Sequence, residues 1–274
     1  MMPFEQMMSF NTKIGIVGLG YVGSAIHNAF SNDFFVECVI IDPPKGYTYA
    51  TYNDLKNADA VFICVPTPRS DTVNCDTSSL EDVLVKLSAV NYNGVIISKC
   101  TAPPDVYKRL NALYPNLVHV PEFLTAASAH QDYINGKFAI IGGSVKAYMN
   151  EAERIIKMSR QNLDCVVHCN IGEAALTKYA INSFLATKVV FMNEIHNVAV
   201  ANGLDYDKIR SMIILDSRIG TSHMQVPGPD SYYGFGGHCL PKDTEVLLNL
   251  SKDLGVTMQV LEAALKKNTL LRLS

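Results

Sequence analysis

The sequence predicts an α/β protein: a Rossmann-like, doubly wound parallel sheet followed by an all-α central domain built on one long helix. Three observations carry this. Short, nearly unbroken apolar runs alternate with segments of helical spacing over about the first 145 residues, the pattern of strands buried on both faces by helices. A glycine-rich turn, Gly18-Leu19-Gly20-Tyr21-Val22-Gly23, separates the first apolar run from the first helical segment. Residues 172–202 contain no proline and no internal glycine, which allows a helix ~45 Å long at 1.5 Å per residue.

The elements follow in order. KIGIV (13–17) reads as a strand, Tyr21 to Phe30 as a helix, and the run ending in VIID at Asp42 as the second strand. AVFICV (60–65), GVIIS (94–98), LVHV (117–120) and FAIIG (138–142) are further strands, with a short one near Cys165. Ser78 with Glu81 three residues later predicts a capping box at a helix start. The long helix has Glu173 in its first turn and Gly203 at its end, and Asp205 is placed to cap the next helix. Its apolar residues cover much of its circumference, which suits a bridging element between domains or subunits. The expected organisation is an N-terminal extension (1–12), a dinucleotide-binding domain (13–171) and a helical central, dimerisation domain (172–274).

With 274 residues, 48% hydrophobic and 18% charged, the chain can bury a large core in about two domains. A net charge of −3 gives no basic field for nucleic acid or an anionic membrane. No apolar run approaches the ~18 residues of a membrane span, and the opening MMPFEQMMSFNTK has no signal-peptide pattern. These features imply a cytoplasmic protein. Seven scattered cysteines suit reduced thiols. Cys165, His168 and Cys169 have no second cluster of matching spacing, so no metal is expected.

Chemistry concentrates in few places. Gly18, Gly20 and Gly23 can make a tight turn, admit a pyrophosphate and let helix pack on strand, while the helix N-terminus offers N–H groups to phosphate. Asp42, nineteen residues after Gly23, can accept hydrogen bonds from a ribose and would repel a 2′-phosphate, which favours NAD over NADP. GFGGHCLPKDT (234–244) places Cys239 in a glycine loop with His238, Lys242 and a helix start near Pro241, all favouring a thiolate; a small buried cysteine beside a turn is the plainer reading. Lys178 and Asn182 lie four residues apart on one helix face, a cation and a hydrogen bonder suited to a developing alkoxide. Thr101 and Glu122 each fall at a strand end, where ligands bind in open parallel sheets.

The motifs VGLGYVG (17–23), VPTP (65–68), SKCT (98–101), PEFL (121–124), residues 173–194, DSRIG (216–220) and GFGGHCLPKDT resemble, in order, the UDP-glucose/GDP-mannose dehydrogenases. The Leu-Pro-Lys-Asp ending resembles the UDP-glucose branch. The resemblance implies a four-electron oxidation of a nucleotide-sugar C6 alcohol, UDP-glucose first among candidates, to the carboxylate with NAD. By position, Cys239 matches the nucleophile, Lys178 and Asn182 the oxyanion pair, Asp243 its assistant, Thr101 the holder of a catalytic water and Glu122 the general base. Tyr21, Val22, Thr67, Thr101 and Lys242 match NAD contacts alongside the glycines and Asp42. Glu122, Phe123, Leu124, Lys178, Asn182, Phe235 and Gly236 match the substrate site. Arg218 matches an arginine that reaches the sugar nucleotide from a neighbouring subunit, which implies a homodimer through the long helix.

Departures qualify the match. Ala126 stands where the family places a second glutamate, and Pro103-Pro104-Asp105 replaces a proline-proline-glycine. The chain resembles the family without its usual C-terminal nucleotide-binding domain. The alternatives are a two-electron β-hydroxyacid-type dehydrogenase, which has no use for Cys239, and a non-catalytic protein that binds NAD or a nucleotide sugar.

Overall fold

A computed structural model describes residues 12–31, 33–69, 75–125, 128–160 and 162–273. Ala126 and residues 1–11 of the extension lie outside them. Two compact units divide the chain, one running to Lys178 and the other from Tyr179.

The first unit is the wound sheet. Its elements are β1 (Thr12–Val17), α1 (Tyr21–Phe30), β2 (Val36–Ile41), β3 (Ala60–Ile63), α2 (Ser78–Ala89), β4 (Val95–Ser98), α3 (Pro104–Leu113), β5 (Leu117–His119), α4 (Ala129–Ile134), β6 (Phe138–Gly142), α5 (Lys146–Ser159) and β7 (Cys165–Cys169). The strand order is β2-β1-β3-β4-β5-β6-β7. All four residues of β3 are buried: Val61 and Ile63 join Leu80, Leu84 and Tyr107 on one face, while Ala60 and Phe62 join Ile26, Phe30 and Ile155 on the other. A strand alternates its side chains, so only helices on both faces make such an unbroken apolar run stable.

Two expectations change. The sheet is not wholly parallel, because β5 and β6 pair antiparallel through His119 and Gly142. The chain leaves β5 through α4, which packs on α1, and does not cross back before β6 begins, so β6 runs the other way. The capping box also fails. Ser78 is already helical and Thr77 is the N-cap, so Glu81 sits one residue too far on. Its carboxylate accepts instead from the Thr77 hydroxyl at 2.8 Å and from Arg109 at 2.8 and 3.3 Å.

The long helix is α6, Ile171–Ala201, 31 residues. Its start is fixed locally: the Asn170 N–H donates to Glu173 at 2.8 Å, and the Asn170 side chain accepts from the Gly172 N–H at 2.9 Å. Gly203 ends it with φ +63°, where a side chain would be strained. Asp205 then caps α7 (Tyr206–Ile213) by accepting from the Lys208 N–H.

The second unit joins the remainder of α6 to α7, α8 (Cys239–Asp253) and α9 (Gln259–Leu271). Ala186, Val189 and Val190 of α6 pack with Phe235, Ala264 and Leu271. Met192, Ala199, Tyr206 and Met224 form a second cluster, which the Tyr206 hydroxyl ties by donating to the Met224 carbonyl at 2.6 Å.

Candidate active site

In the first unit the candidate residues collect at the carboxyl ends of the parallel strands. After β1, Gly18 takes φ +92°, and a Cβ on Gly23 would stand 2.0 Å from the Gly18 carbonyl oxygen, so both glycines are required by the turn itself. Gly20 differs, since a Cβ there would meet nothing within 4 Å. It is the N-cap of α1 and has no side chain to occupy the helix N–H groups, which suits a phosphate-bearing ligand. A cavity of about 700 Å³ lies beside it, lined by Gly20, Tyr21, Ser24, Lys45, Ser128 and His130 among others. These residues fit a dinucleotide. Asp42, just past β2, accepts from the Leu19 N–H at 2.6 Å and from the Lys45 N–H at 3.2 Å. Its carboxylate therefore braces the glycine turn.

The next loops are tied together. The Thr67 hydroxyl, in the loop after β3, donates to the Thr101 carbonyl after β4 at 2.8 Å, and the Cys75 thiol reaches the same oxygen at 3.5 Å. After β5, Glu122 is buried at 8% exposure. Its Oε2 lies 2.9 Å from Lys99 Nζ and 2.6 Å from Arg160 Nη2, and its Oε1 accepts from the Phe123 N–H at 3.1 Å. Burial alone would raise the Glu122 pKa, but the Lys99 and Arg160 charges outweigh it and hold the carboxyl below its ordinary value. Burial acts on Lys99 in the opposite sense and lowers its pKa in spite of Glu122. Lys178, on α6, donates to the Glu122 backbone carbonyl at 2.6 Å and sits 5.1 Å from the Phe123 ring centroid. Leu124 packs partly buried against the apolar layer that contains α1.

His119, at the end of β5, is fully enclosed. Its Nδ1–H donates to the Ser98 carbonyl, its ring stacks on Tyr107 at 4.1 Å, and burial pushes its pKa down to about 3. It is a neutral structural group at ordinary pH.

In the second unit Cys239 is the first residue of α8 and is exposed. The helix begins two residues before the expected Pro241, and the proline is tolerated because first-turn N–H groups have no partner within the helix. The thiol thus stands at the positive end of the helix dipole. One turn on, Asp243 is 1% exposed; it accepts from the Asn182 side-chain amide and pairs with Lys242 Nζ at 2.8 Å. The Arg218 guanidinium folds onto Asp216 at 2.6 Å, and its side chain is 86% exposed.

Sequence reading missed four residues here. Lys99 lay within a quoted motif but nothing local marked its partner, and Arg160 ends α5 with no pattern to betray a long-range ion pair. Asn193 and Asn268 grip the loop before Cys239. Asn193 accepts from the Gly234 N–H at 3.1 Å, and Asn268 accepts from the Phe235 N–H at 2.7 Å while donating to the Phe235 carbonyl at 3.0 Å. Gly236 lies beside this clamp, where a Cβ would meet the Arg272 guanidinium at 2.7 Å. A signal for Asn268 did exist: it occupies a core position in the stripe Leu261, Ala264, Asn268, Leu271. Among the described residues no group of three or more His, Cys, Asp or Glu could hold a metal, and no helix is long and apolar enough to cross a membrane.

Comparison with known proteins bears on both units. Residues 44–159 match the NAD binding domain of the UDP-glucose/GDP-mannose dehydrogenase family, and residues 172–270 match its central domain. UDP-glucose 6-dehydrogenase TuaD of Bacillus subtilis is 32% identical over 245 residues, covering 85% of this chain and 51% of that protein. A UDP-glucose dehydrogenase from the archaeon Pyrobaculum islandicum superposes with a TM-score of 0.78 at 24% identity, covering 98% of this chain and 70% of the other. A 3-hydroxyisobutyrate dehydrogenase from Mycobacterium tuberculosis shares the fold, with a TM-score of 0.72 at 17% identity, covering 93% of this chain and 91% of its own. The chain spans about half the length of the curated relatives it matches. Because residues 44–159 of the wound sheet and residues 172–270 of the helical unit, which include the cysteine loop, each match a domain of one family, the chain belongs to the UDP-glucose/GDP-mannose dehydrogenase family.

Proposed function

We propose that this chain carries the catalytic part of an NAD-dependent nucleotide-sugar 6-dehydrogenase acting on UDP-glucose. The observation that carries this reading is Cys239, exposed at the first position of a helix, one turn before a buried Asp243 bonded to Asn182. NAD⁺, bound at the glycine turn, would accept a hydride in each of two successive oxidations. Between them the Cys239 thiolate adds to the C6 aldehyde and forms a thiohemiacetal. Loss of hydride from that adduct gives a thioester, and water cleaves it to the carboxylate while the thiol is restored. A covalent adduct retains an intermediate that a simple alcohol dehydrogenase would release.

The other roles follow from chemistry. Lys178 supplies positive charge, and Asn182 hydrogen bonding, to the oxygen that becomes anionic in each addition. Asp243 would orient the Asn182 amide, and Thr101 would hold the water that cleaves the thioester. Arg218, exposed and paired with Asp216 within its own turn, would serve a second copy's substrate. Exposed Phe184, Phe191 and Val198 repeat every seven residues along α6, which supports a homodimer formed through that helix.

A two-electron β-hydroxyacid-type dehydrogenase has the fold likeness to 3-hydroxyisobutyrate dehydrogenase in its favour, but that chemistry leaves the cysteine loop without a task. Incubation with UDP-glucose and NAD⁺, followed by chromatography of the nucleotide sugars, separates the two. UDP-glucuronate should accumulate with the wild type and not with Cys239→Ser. Equal product from both proteins would overturn the thioester route.

A further inference from the structure

Between β2 and β3 the chain crosses in two short 3-10 turns, Pro43–Lys45 and Tyr52–Leu55. The first is the tip of a small hairpin. Across its base the Asp42 N–H donates to the Tyr47 carbonyl at 3.2 Å, and the Tyr47 N–H donates to the Asp42 carbonyl at 3.0 Å. Pro43 and Pro44 fix two φ angles of the tip, and Gly46 supplies the φ of +81° that turns the chain back. Lys45 ties the tip down, because its N–H donates to Asp42 and its ammonium donates to the Leu19 carbonyl of the glycine turn.

Residues directly opposite in such a pair send their side chains to one face, with Cβ atoms about 5 Å apart. The Asp42 carboxylate uses that face to reach the Leu19 N–H. The Tyr47 ring therefore leaves the hairpin on the side of the glycine turn. Its side chain is 41% exposed, and among the described residues it makes no hydrogen bond and no ring contact. A flat apolar ring left open beside a phosphate-binding turn is suited to a planar ligand group.

We propose that Tyr47 is the platform on which the adenine of NAD stacks, next to Asp42 at the adenosine end of the cofactor. This rests on the reading of the glycine turn as the NAD site. The strand order β2-β1-β3-β4-β5 puts β2 at the sheet edge, whereas Thr101 and Glu122 follow β4 and β5 on the other side of β1. A dinucleotide with its pyrophosphate on the glycine turn would point its two halves in opposite directions along that order. The nicotinamide belongs with the candidate catalytic residues, which leaves the adenosine to the β2 side. Stacking on an aromatic ring reads the flat face of a base and not its edge, so Tyr47 adds grip without a hydrogen-bonding partner for the purine.

The test uses the full chain with 3-fluorotyrosine in place of tyrosine, the Tyr47 ¹⁹F signal being assigned by its loss in Tyr47→Phe. It is joined to calorimetric titration with NAD⁺ and with ADP-ribose, which lacks the nicotinamide. Both ligands should move the Tyr47 signal. Tyr47→Ala should weaken both about 10-fold, while Tyr47→Phe should bind both as the wild type does. A Tyr47 signal unmoved by saturating NAD⁺ overturns the proposal, even where Tyr47→Ala weakens binding by disturbing the hairpin. So does wild-type affinity in Tyr47→Ala, and so does a loss seen with NAD⁺ and not with ADP-ribose. If the wild type binds neither ligand, the NAD reading of the glycine turn fails and the platform with it, whereas binding that ignores Tyr47 sinks the platform alone.

Discussion

Gly20 and Gly23 stand three residues apart in one turn and answer to different constraints. A Cβ on Gly23 would collide with the Gly18 carbonyl, whereas one on Gly20 meets no protein atom within 4 Å. Gly23→Ala should therefore destabilise the fold by about 1–3 kcal/mol or more, as overpacking does. Gly20→Ala should leave the melting temperature unchanged and weaken NAD binding, which calorimetric titration beside a thermal melt would measure. Equal effects of the two substitutions on stability would contradict the distinction. His119 makes a prediction in pH. Its folded pKa of about 3 lies below the value of an unfolded histidine, so the unfolded chain binds the extra proton between about pH 6.5 and 3. Its contribution to stability is complete above that window and is lost as pH falls through it. Thermal melts across the window should show this decline, and it should be shallower in His119→Asn. The sequence offered the glycines and Asp42 readily, because spacing alone carries them. It offered neither the burial of His119 nor the partners of Glu122, because those depend on residues far apart in the chain.

At the scale of elements, the long helix was legible and the helix caps only partly so. Residues 172–202 lacked any breaker, and the observed helix spans Ile171–Ala201; Gly203 and Asp205 terminate and restart the chain as their chemistry requires. The Ser78–Glu81 pair misled because an acidic side chain near a helix start can be captured by a distant cation, here Arg109. The antiparallel entry of β6 was invisible for a similar reason, since strand direction depends on where α4 docks. The contact between α9 and the cysteine loop is the element-scale feature most open to test. Asn268 satisfies both the N–H and the carbonyl of Phe235. Asn268→Leu would leave both groups buried without these bonds and should cost about 2 kcal/mol or more. Urea denaturation would record it, and an unchanged midpoint would show that the clamp contributes nothing.

For the whole molecule, Phe184, Phe191 and Val198 project from α6 with exposures of 67%, 58% and 59%, and apolar residues repeating every seven positions on one helix suit pairing with a second helix. The account predicts a dimer by light scattering and a monomer for Phe191→Glu. A wild-type monomer that turns over would contradict both the helix interface and a role for Arg218 across subunits. The chain matches two domains of its family and spans about half the length of its curated relatives. The central claim is that Cys239 couples two oxidations on one substrate. Counting NADH released against limiting UDP-glucose tests it most directly: the account predicts two NADH per sugar nucleotide consumed, and one NADH per sugar nucleotide would contradict it.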